Sequence, residues 1–369
     1  MKNYKAEIID FPSDVIRGTD SVFNYFAWPT VVRTDDGRII AGASGFRKRH
    51  CDPYGKAVIA ESTDGGRTYS VLRAVIDTRL DDRDTGLLSF GENGLIVTSF
   101  NNAVSYQRRQ ALWVGDNRER DSVLTYLDGI TPAEEERDRG SLFRISFDGG
   151  KSFGDIHKSP ITSPHGPNKL KNGDILWLGA CWNPSRVVEQ HGIECWKLDV
   201  NNGKMEMLGA IAPVIDDDGE FLYNTEPHFI ELENGDLLCH IRAEKQKTEF
   251  YKFTLYQSIS NDGGKTWSKP VQILSDIGGA PAHIMRHSSG VLISVFGYRE
   301  MPFEIRAIIS DDEGKTWSKP LTLHTDCVSP DMGYPSSVEL DNGDILTVYY
   351  GHERPELPAM IRQVRWKLV

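Results

Sequence analysis

Three side chains, Tyr334, Glu226 and Arg242, stand at places in the chain where they could perform nucleophilic chemistry together. Glu226 begins an apolar run, a turn at Gly235 reverses it, and Arg242 ends the run that follows. Such a hairpin brings Glu226 and Arg242 to the same rim. Tyr334 lies nine residues before the turn at Gly343, as Glu226 lies nine before Gly235. Because a phenol has a pKa near 10, it needs a neighbouring base to become a nucleophile. The spacing therefore places Tyr334 and Glu226 at equivalent rim positions, where the carboxylate could serve as the base that the phenol needs.

The hairpin that carries Glu226 is one of six. Each consists of an apolar run, a turn with glycine and a second apolar run, and the turn glycines are Gly37, Gly94, Gly173, Gly235, Gly290 and Gly343. They stand 57, 79, 62, 55 and 53 residues apart, which leaves room for about four strands per repeat. The repeat predicts an all-β protein, a six-bladed β-propeller that forms a single domain over residues 1–369.

A second motif recurs between the hairpins, with the pattern Ser-x-Asp-x-Gly-x-(Thr/Ser)-aromatic. Its four good copies are Ser62–Tyr69, Ser146–Phe153, Ser260–Trp267 and Ser310–Trp317. In each copy we expect the aspartate to bind turn amides, the glycine to adopt the left-handed conformation and the aromatic ring to pack on the blade. This motif is the Asp-box. Through it the chain resembles, over nearly its whole length, the sialidase (BNR-repeat) superfamily of six-bladed propellers.

The resemblance gives the three rim residues specific roles. Sialidases use a tyrosine nucleophile where most glycosidases use two carboxylates. The substrate, a 2-keto-3-deoxy acid, carries a carboxylate at its anomeric centre that would repel a carboxylate nucleophile. Gly333–Ser337 resembles the nucleophile segment of the family, and the stretch with Glu226 and Arg242 resembles its base-and-arginine segment. These matches imply Tyr334 as nucleophile, Glu226 as its base and Arg242 as part of an acid clamp.

The resemblance also points to a general acid on the loop after the second strand of blade one. Asp52 is the matching position for the acid/base aspartate of the family. His50 is a competing candidate, because an imidazole titrates close to neutral pH. Asp52 before Pro53 is also compatible with an ordinary turn.

The arginines expected to bind the substrate carboxylate are only partly present at the positions where the family has them. Sialidases hold the substrate carboxylate with three arginines, since guanidinium groups bind carboxylates in a bidentate way. Arg242 matches one and Arg299 another, although Arg306 lies nearby. The third belongs to a Phe-Arg-Ile-Pro segment, which reads Phe26-Ala27-Trp28-Pro29 in this chain, so Arg47 or Arg49 would have to replace it. This departure leaves a related acid sugar or a different glycoside open.

Three further residues occupy rim positions of blades one to three. Trp28 could stack on a sugar face or cap the channel, and Asp84 brings a carboxylate to the rim of blade two. His165 could contact substrate or be plain polar surface. All three are candidate substrate-binding residues.

Composition excludes several classes of protein. A net charge of −11 disfavours nucleic acid and anionic membranes, and no apolar run is long enough to cross a bilayer. The first ten residues lack the apolar core of a secretory signal, and five scattered cysteines are typical of free thiols. These features predict a cytoplasmic protein. Metal-ligand spacing and phosphate-binding glycine loops are missing, so we expect no metal and no cofactor.

One segment departs from the repeat. Residues 102–139 form an insertion in blade two, where Thr131 and Glu134 predict a capping box and one short helix. Taken together, the sequence predicts a retaining exo-glycosidase of the sialidase type that acts on a small saccharide or glycoconjugate with a terminal sialic-acid-like sugar. Two alternatives remain: a hydrolase or lyase of the same fold for another sugar, and a non-catalytic carbohydrate-binding propeller.

Overall fold

A computed structural model describes residues 2–18, 21–181, 192–216, 219–245, 252–274 and 279–369. It contains six antiparallel sheets, five with four strands and one with five. Each sheet is built from sequential strands joined by the predicted hairpins, apart from the closing strand of the last sheet. The prediction of an all-β, six-bladed propeller is confirmed.

The strands follow one another blade by blade. The chain starts with β1 (Ala6–Ile16), which belongs to the last blade. Blade one is β2 (Tyr25–Arg33), β3 (Ile39–Arg47), β4 (Lys56–Ser62) and β5 (Arg73–Ile76). Blade two is β6 (Leu87–Phe90), β7 (Gly94–Phe100), β8 (Ser141–Ser146) and β9 (His157–Ser159). Blade three is β10 (Ile161–Thr162), β11 (Asn168–Lys169), β12 (Ile175–Cys181), β13 (Ile193–Asp199) and β14 (Lys204–Ile211).

The second half repeats the arrangement. Blade four is β15 (Tyr223–Glu231), β16 (Leu237–Lys245), β17 (Lys252–Ser260) and β18 (Val271–Gln272). Blade five is β19 (Gly279–Arg286), β20 (Leu292–Tyr298), β21 (Phe303–Ser310) and β22 (Leu321–Cys327). Blade six is β23 (Gly333–Glu339), β24 (Ile345–Gly351) and β25 (Met360–Leu368), with β1 as its outermost strand. Because β1 pairs with β25, the two ends of the chain close the ring within one sheet.

The Asp-boxes tie neighbouring blades together. In the copy of blade four, Asp262 Oδ1 accepts hydrogen bonds from the backbone N–H groups of Lys265 (3.1 Å) and Thr266 (2.9 Å). The aromatic residue then packs towards the preceding blade: Trp267 packs against the core cluster that contains Cys195 of blade three, and Trp317 donates from Nε1 to Gln257 of blade four. The motif therefore fixes both its own turn and the contact between blades.

The insertion in blade two contains three helices where the sequence predicts one. They are α1 (Val104–Ala111), α2 (Asn117–Asp128) and α3 (Pro132–Asp138), and the capping box of Thr131 and Glu134 is present. The first two were not predicted because they are mostly polar, with a few buried residues such as Val123 and Leu127. Those residues pack on Leu80 beside blade one. Among the described residues, no helix is long and apolar enough to cross a membrane.

Candidate active site

The hydroxyl of Tyr334 and the carboxylate of Glu226 are in direct contact. Tyr334 Oη donates a hydrogen bond to Glu226 Oε1 at 2.5 Å. Arg242 Nη1 donates to the same phenol oxygen at 3.0 Å and also to Glu226 Oε2. The other terminal nitrogen of Arg242 forms an ion pair with Glu244. The structure thus brings together three of the side chains that the sequence predicts at one rim.

A bulge that recurs at the start of the inner strands directs these side chains. The pairing of β15 with β16 is interrupted between Thr225 and His228, and the pairing of β23 with β24 between Gly333 and Ser336. The residues inside the two bulges include Glu226 (φ 51°) and Tyr334 (φ 48°). Positive φ is uncommon for residues with a side chain, and such strain is concentrated at functional sites. Bulges of this kind redirect a side chain out of the sheet, in this case to the rim.

The same backbone conformation occurs in two other blades. Trp28 has φ 53° inside the bulge of blade one, and Asp84 has φ 47° just before β6. Four blades therefore start with a strained residue, and in three of them proline follows it, at Pro29, Pro227 and Pro335. Counting back from the turn glycines places these four residues nine or ten positions before the turn. The structure gives all four the same positive-φ backbone conformation.

A cavity of about 490 Å³ opens beside the Tyr334–Glu226 pair. This volume lies in the usual range for small-molecule sites. Its charged lining residues are Arg83, Asp84, Glu226, Arg242 and Glu244. Hydroxyl and amide groups also line it, from Tyr106, Tyr223, Tyr334, Thr162, Ser163, Thr225 and Asn102. Such a lining suits a polyhydroxylated ligand, because each hydroxyl of a sugar needs a hydrogen-bond partner when it is buried.

Burial and charge set the protonation of the groups at the cavity. Burial raises the pKa of Tyr334 well above its usual value, and the charge of Glu226 raises it further, while Arg242 opposes both. The phenol is therefore protonated in the resting site and donates to the carboxylate. Burial, followed by the charge of Glu226, also raises the pKa of Asp84 to about 7, against the opposing charge of Arg83. The carboxyl of Asp84 consequently holds a proton in a large part of the molecules at neutral pH.

Comparison with known proteins shows which of them share the fold of this chain. The family model for a BNR repeat-like domain matches residues 165–347. The structure resembles a protein of unknown function from Dyadobacter fermentans, with a TM-score of 0.74, 20% identity and coverage of 98% of this chain and 100% of that one. No curated protein matches the sequence. The chain therefore shares the six-bladed β-propeller fold of solved sialidases.

Two of the proteins that share this fold, at low identity, are glycosidases. The Hadza microbial sialidase Hz136 has a TM-score of 0.65 and 13% identity, with 97% of this chain and 68% of that chain covered. The α-L-arabinofuranosidase Arb93A from Fusarium graminearum has a TM-score of 0.63 and 11% identity, with 97% and 98% covered. The fold is therefore common to glycosidases that act on different sugars.

The candidate acid of blade one, Asp52, lies outside the lining of this cavity. Its carboxylate accepts hydrogen bonds from the backbone N–H groups of Lys48 (2.9 Å) and Tyr54 (3.0 Å), as in a turn. The competing candidate His50 is half-exposed and lies nearer the cavity, because its Nε2 is 3.2 Å from Arg83 Nη2. His50 Nδ1 is 3.0 Å from Asp331 Oδ1.

The three arginines predicted to complete the clamp are occupied by other groups. Arg47 is fully buried and pairs with Asp81 at 2.5 Å. Arg49 forms an ion pair with Glu119 of α2. Arg299 lies beside Tyr334, with its guanidinium carbon 5.3 Å from the centroid of the Tyr334 ring and its Nε donating to the carbonyl of Met332 at 3.0 Å. None of the three is among the described residues that line the cavity.

Two other predicted binding residues are buried and are not among the described residues that line the cavity. Trp28 is buried between guanidinium groups, 4.1 Å from Arg83 and 4.9 Å from Arg47, measured to the centroid of its ring. His165 is buried with two other histidines, 5.5 Å from His228 and 5.2 Å from His283 between ring centroids. Within the described ranges, no cluster of His, Cys, Asp and Glu could hold a metal ion.

Sequence reasoning missed Arg83, which lines the cavity next to Asp84. The signal was present in Asp81-Asp82-Arg83-Asp84, at the rim of blade two. Asp84 itself lines the cavity as predicted for a rim residue. Three aspartates surround Arg83 in that segment, so the sequence alone does not distinguish ligand binding from a local ion pair.

Proposed function

We propose that this propeller is a retaining exo-glycosidase that cleaves a terminal 2-keto-3-deoxy acid sugar of the sialic acid type. The observation that carries the proposal is the 2.5 Å hydrogen bond from Tyr334 Oη to Glu226 Oε1 at the wall of a cavity of about 490 Å³. A buried phenol aimed at a carboxylate in a cavity is the arrangement that an activated tyrosine nucleophile requires.

In the first step, Tyr334 Oη attacks the anomeric carbon while Glu226 accepts the phenol proton. The bond from the anomeric carbon to the leaving-group oxygen breaks, and that oxygen receives a proton from a general acid. Arg242 Nη1, 3.0 Å from the phenol oxygen, stabilises the negative charge that develops there. In the second step, water attacks the anomeric carbon, the tyrosyl–carbon bond breaks and Tyr334 recovers its proton from Glu226. Two displacements at one carbon retain its configuration.

We assign the general acid to Asp84. Its carboxyl lines the cavity with Glu226, and its pKa of about 7 leaves a proton to donate at neutral pH. The Asp52 carboxylate, by contrast, is anchored to two backbone amides. After the first step the ionised Asp84 accepts a proton from the attacking water. Asp52 remains the acid that the sequence alone predicts, and the two assignments are separable by mutation.

A second candidate is a glycosidase for a neutral sugar that uses Asp84 and Glu226 as its two carboxylates. It is favoured by the contacts of Arg242, which pairs with both Glu226 and Glu244 and so has two anionic partners before any substrate binds. The α-L-arabinofuranosidase of Fusarium graminearum shares the fold. In this case a carboxylate, rather than Tyr334, would attack the sugar.

The proposal is tested by a hydrolysis screen of 4-methylumbelliferyl glycosides of sialic acid, Kdn and Kdo, with the α-L-arabinofuranoside for comparison. Turnover of an acid sugar, with a glycosyl group trapped on the Tyr334 peptide by a fluorinated substrate, is the expected result. Turnover restricted to the arabinofuranoside, with the label on Glu226 or Asp84, would favour the second candidate. Saturable sugar binding without turnover of any substrate would identify a carbohydrate-binding propeller.

A further inference from the structure

One cation of the cavity does not come from a place where the family resemblance expects it. Ala27 stands where blade one would supply an arginine, and its side chain is fully buried in the core cluster below the site. Among the described lining residues, the cations are Arg83 and Arg242. Since Arg242 already pairs with two carboxylates, Arg83 is the more available guanidinium for an anionic group of a ligand.

Contacts on one side hold the Arg83 guanidinium in place. It stacks on the ring of Trp28 at 4.1 Å, and its Nη1 donates to the carbonyl of His50 at 2.9 Å. Its backbone is fixed as well, because Arg83 and Phe100 exchange two backbone hydrogen bonds of 2.7 and 3.1 Å. A planar guanidinium with one face on an aromatic ring and a fixed backbone is pre-organised for bidentate binding of a carboxylate.

A hydrogen-bond chain extends behind this arginine. Asp331 Oδ1 lies 3.0 Å from His50 Nδ1, and His50 Nε2 lies 3.2 Å from Arg83 Nη2. Because Arg83 can only donate, His50 Nε2 must accept, which places the imidazole proton on Nδ1, facing Asp331. The orientation of Asp331 is fixed in turn by donors from Tyr25 Oη (2.8 Å) and Tyr350 Oη (2.9 Å).

Neutralising a buried acid does not account for the placement of Arg83. The nearest carboxylate in its own segment, Asp81, already has Arg47 at 2.5 Å, whereas Arg83 Nη1 is 3.5 Å away. Arg83 instead extends to the cavity wall, where Asp84 and Tyr106 are its neighbours.

We propose that Arg83 binds the carboxylate of the sugar acid, in place of the arginine that blade one lacks, and that His50 and Asp331 position it. The inference rests on the proposed function and makes it more specific, since it names the residue that selects an acidic over a neutral sugar. His50 is then a positioning residue rather than a catalytic one.

The test compares an acidic sugar with its neutral carboxamide derivative. The substrates are the 4-methylumbelliferyl glycoside of sialic acid and its carboxamide, which is neutral but nearly equal in shape. Arg83→Gln should lower kcat/KM for the acid by about 10- to 100-fold and leave the carboxamide nearly unchanged, because only the acid loses a charge-assisted hydrogen bond. Arg83→Lys should retain part of the preference, since lysine keeps the charge without the planar fork. Arg79→Gln, in the same loop but paired with Glu134, is the matched control.

The positioning role has its own readout. His50→Leu should raise KM for the acid and not for the carboxamide, whereas His50→Gln, whose amide oxygen can accept from Arg83, should restore much of the preference. A purely structural role for His50 would weaken both substrates equally and would contradict this part of the inference. If Arg83→Gln does not fold, Arg83→Lys replaces it in the comparison of the acid with the carboxamide.

Binding separates this inference from the proposed function. The α-methyl glycoside of sialic acid is titrated calorimetrically into the wild-type protein and into Arg83→Gln. Binding that depends on Arg83 supports the inference even if no aryl glycoside is hydrolysed. A lack of hydrolysis would reject only the proposed function. The inference is overturned if the acid and the carboxamide are hydrolysed or bound equally well, or if Arg83→Gln affects both equally. The absence of binding of any sugar acid would also overturn it.

Discussion

Tyr334 and Glu226 are 108 residues apart in the chain, yet Tyr334 Oη donates a hydrogen bond to Glu226 Oε1 at 2.5 Å. The contact spans two blades, and each partner lies in a strand bulge with a left-handed backbone. Both residues are therefore held by the sheet and not by a loose loop. Rigid placement of nucleophile and base is what the proposed chemistry needs.

Replacing Tyr334 with phenylalanine removes the proposed nucleophile and keeps the packing. We expect Tyr334→Phe to lower kcat by about 10³-fold or more, with binding of the sugar retained. Initial rates and calorimetric titration measure the two effects. The matched control is Tyr69→Phe, which deletes a phenol in the Asp-box of blade one that donates to Gln363. It should lower stability by about 1 kcal/mol and leave kcat unchanged. Full activity of Tyr334→Phe would reject the nucleophile assignment.

Glu226→Gln removes the proposed base while preserving the size of the side chain. We expect kcat to fall by about 10²- to 10⁴-fold, the range for loss of a general base. Because the proposed mechanism makes Tyr334 and Glu226 act as one unit, the double variant should be no slower than the slower single variant. Stopped assays with a long time base measure these rates. Losses that multiply in the double variant would show that the two residues act independently. Glu231→Gln, at the far end of β15, is the control.

Asp84 should control both the pH profile and the dependence on the leaving group. A group with a pKa raised to about 7 is protonated below that pH, so kcat should fall as the pH rises through 7. Asp84→Asn cannot donate a proton and should lose this alkaline limb. Its defect should be large, about 10²- to 10⁴-fold, for alkyl glycosides and small for aryl glycosides with acidic leaving groups.

Asp52→Asn provides the comparison for that experiment. The Asp52 carboxylate binds backbone amides, so its loss should lower stability and leave the leaving-group dependence unchanged. If Asp52→Asn shows the strong leaving-group dependence and Asp84→Asn does not, the acid is Asp52, as the sequence alone predicts.

Arg47 should prove structural. It is fully buried against Asp81, and removing one partner of a buried ion pair leaves an unpaired charge. We expect Arg47→Met to lower the free energy of unfolding by about 3–5 kcal/mol. Arg49→Met, which breaks a half-buried pair with Glu119, should cost at most about 1 kcal/mol. Urea unfolding measures both. A stable Arg47→Met variant with altered KM would instead make Arg47 a substrate-binding residue.

The Asp-boxes should contribute a pH-dependent part of stability. The side chain and backbone of Thr266 lower the pKa of Asp262 to about 2. A depressed carboxyl pKa stabilises the fold above the unfolded value near 3.9, and this contribution is lost as the pH falls from about 4 to 2. Asp262→Asn should therefore lower Tm at pH 7, and the difference from wild type should shrink below pH 4. Asp121→Asn on the exposed face of α2 should show no such difference.

The repeat could be predicted from local sequence because a propeller blade is built by local rules. Turn glycines such as Gly235 and Gly343 take positive φ whatever surrounds them, and the Asp-box closes its own hydrogen bonds within eight residues, as in Ser260–Trp267. Counting from those turns placed Glu226 and Tyr334 at equivalent positions, and the structure gives both the same bulged backbone. The polar helices α1 and α2 gave no comparable signal, since their few buried residues are explained by contacts with a distant loop.

The sequence by itself therefore determined the fold and the pair of Tyr334 and Glu226, because period and turn chemistry are encoded within each repeat. Only the tertiary structure decided which arginine reaches the cavity. Arg47, Arg83 and Arg299 all start at a rim, but their long side chains follow whichever carboxylate, ring or carbonyl lies nearest in neighbouring blades. Those partners are far away in sequence, so the direction of each guanidinium is a property of the closed ring.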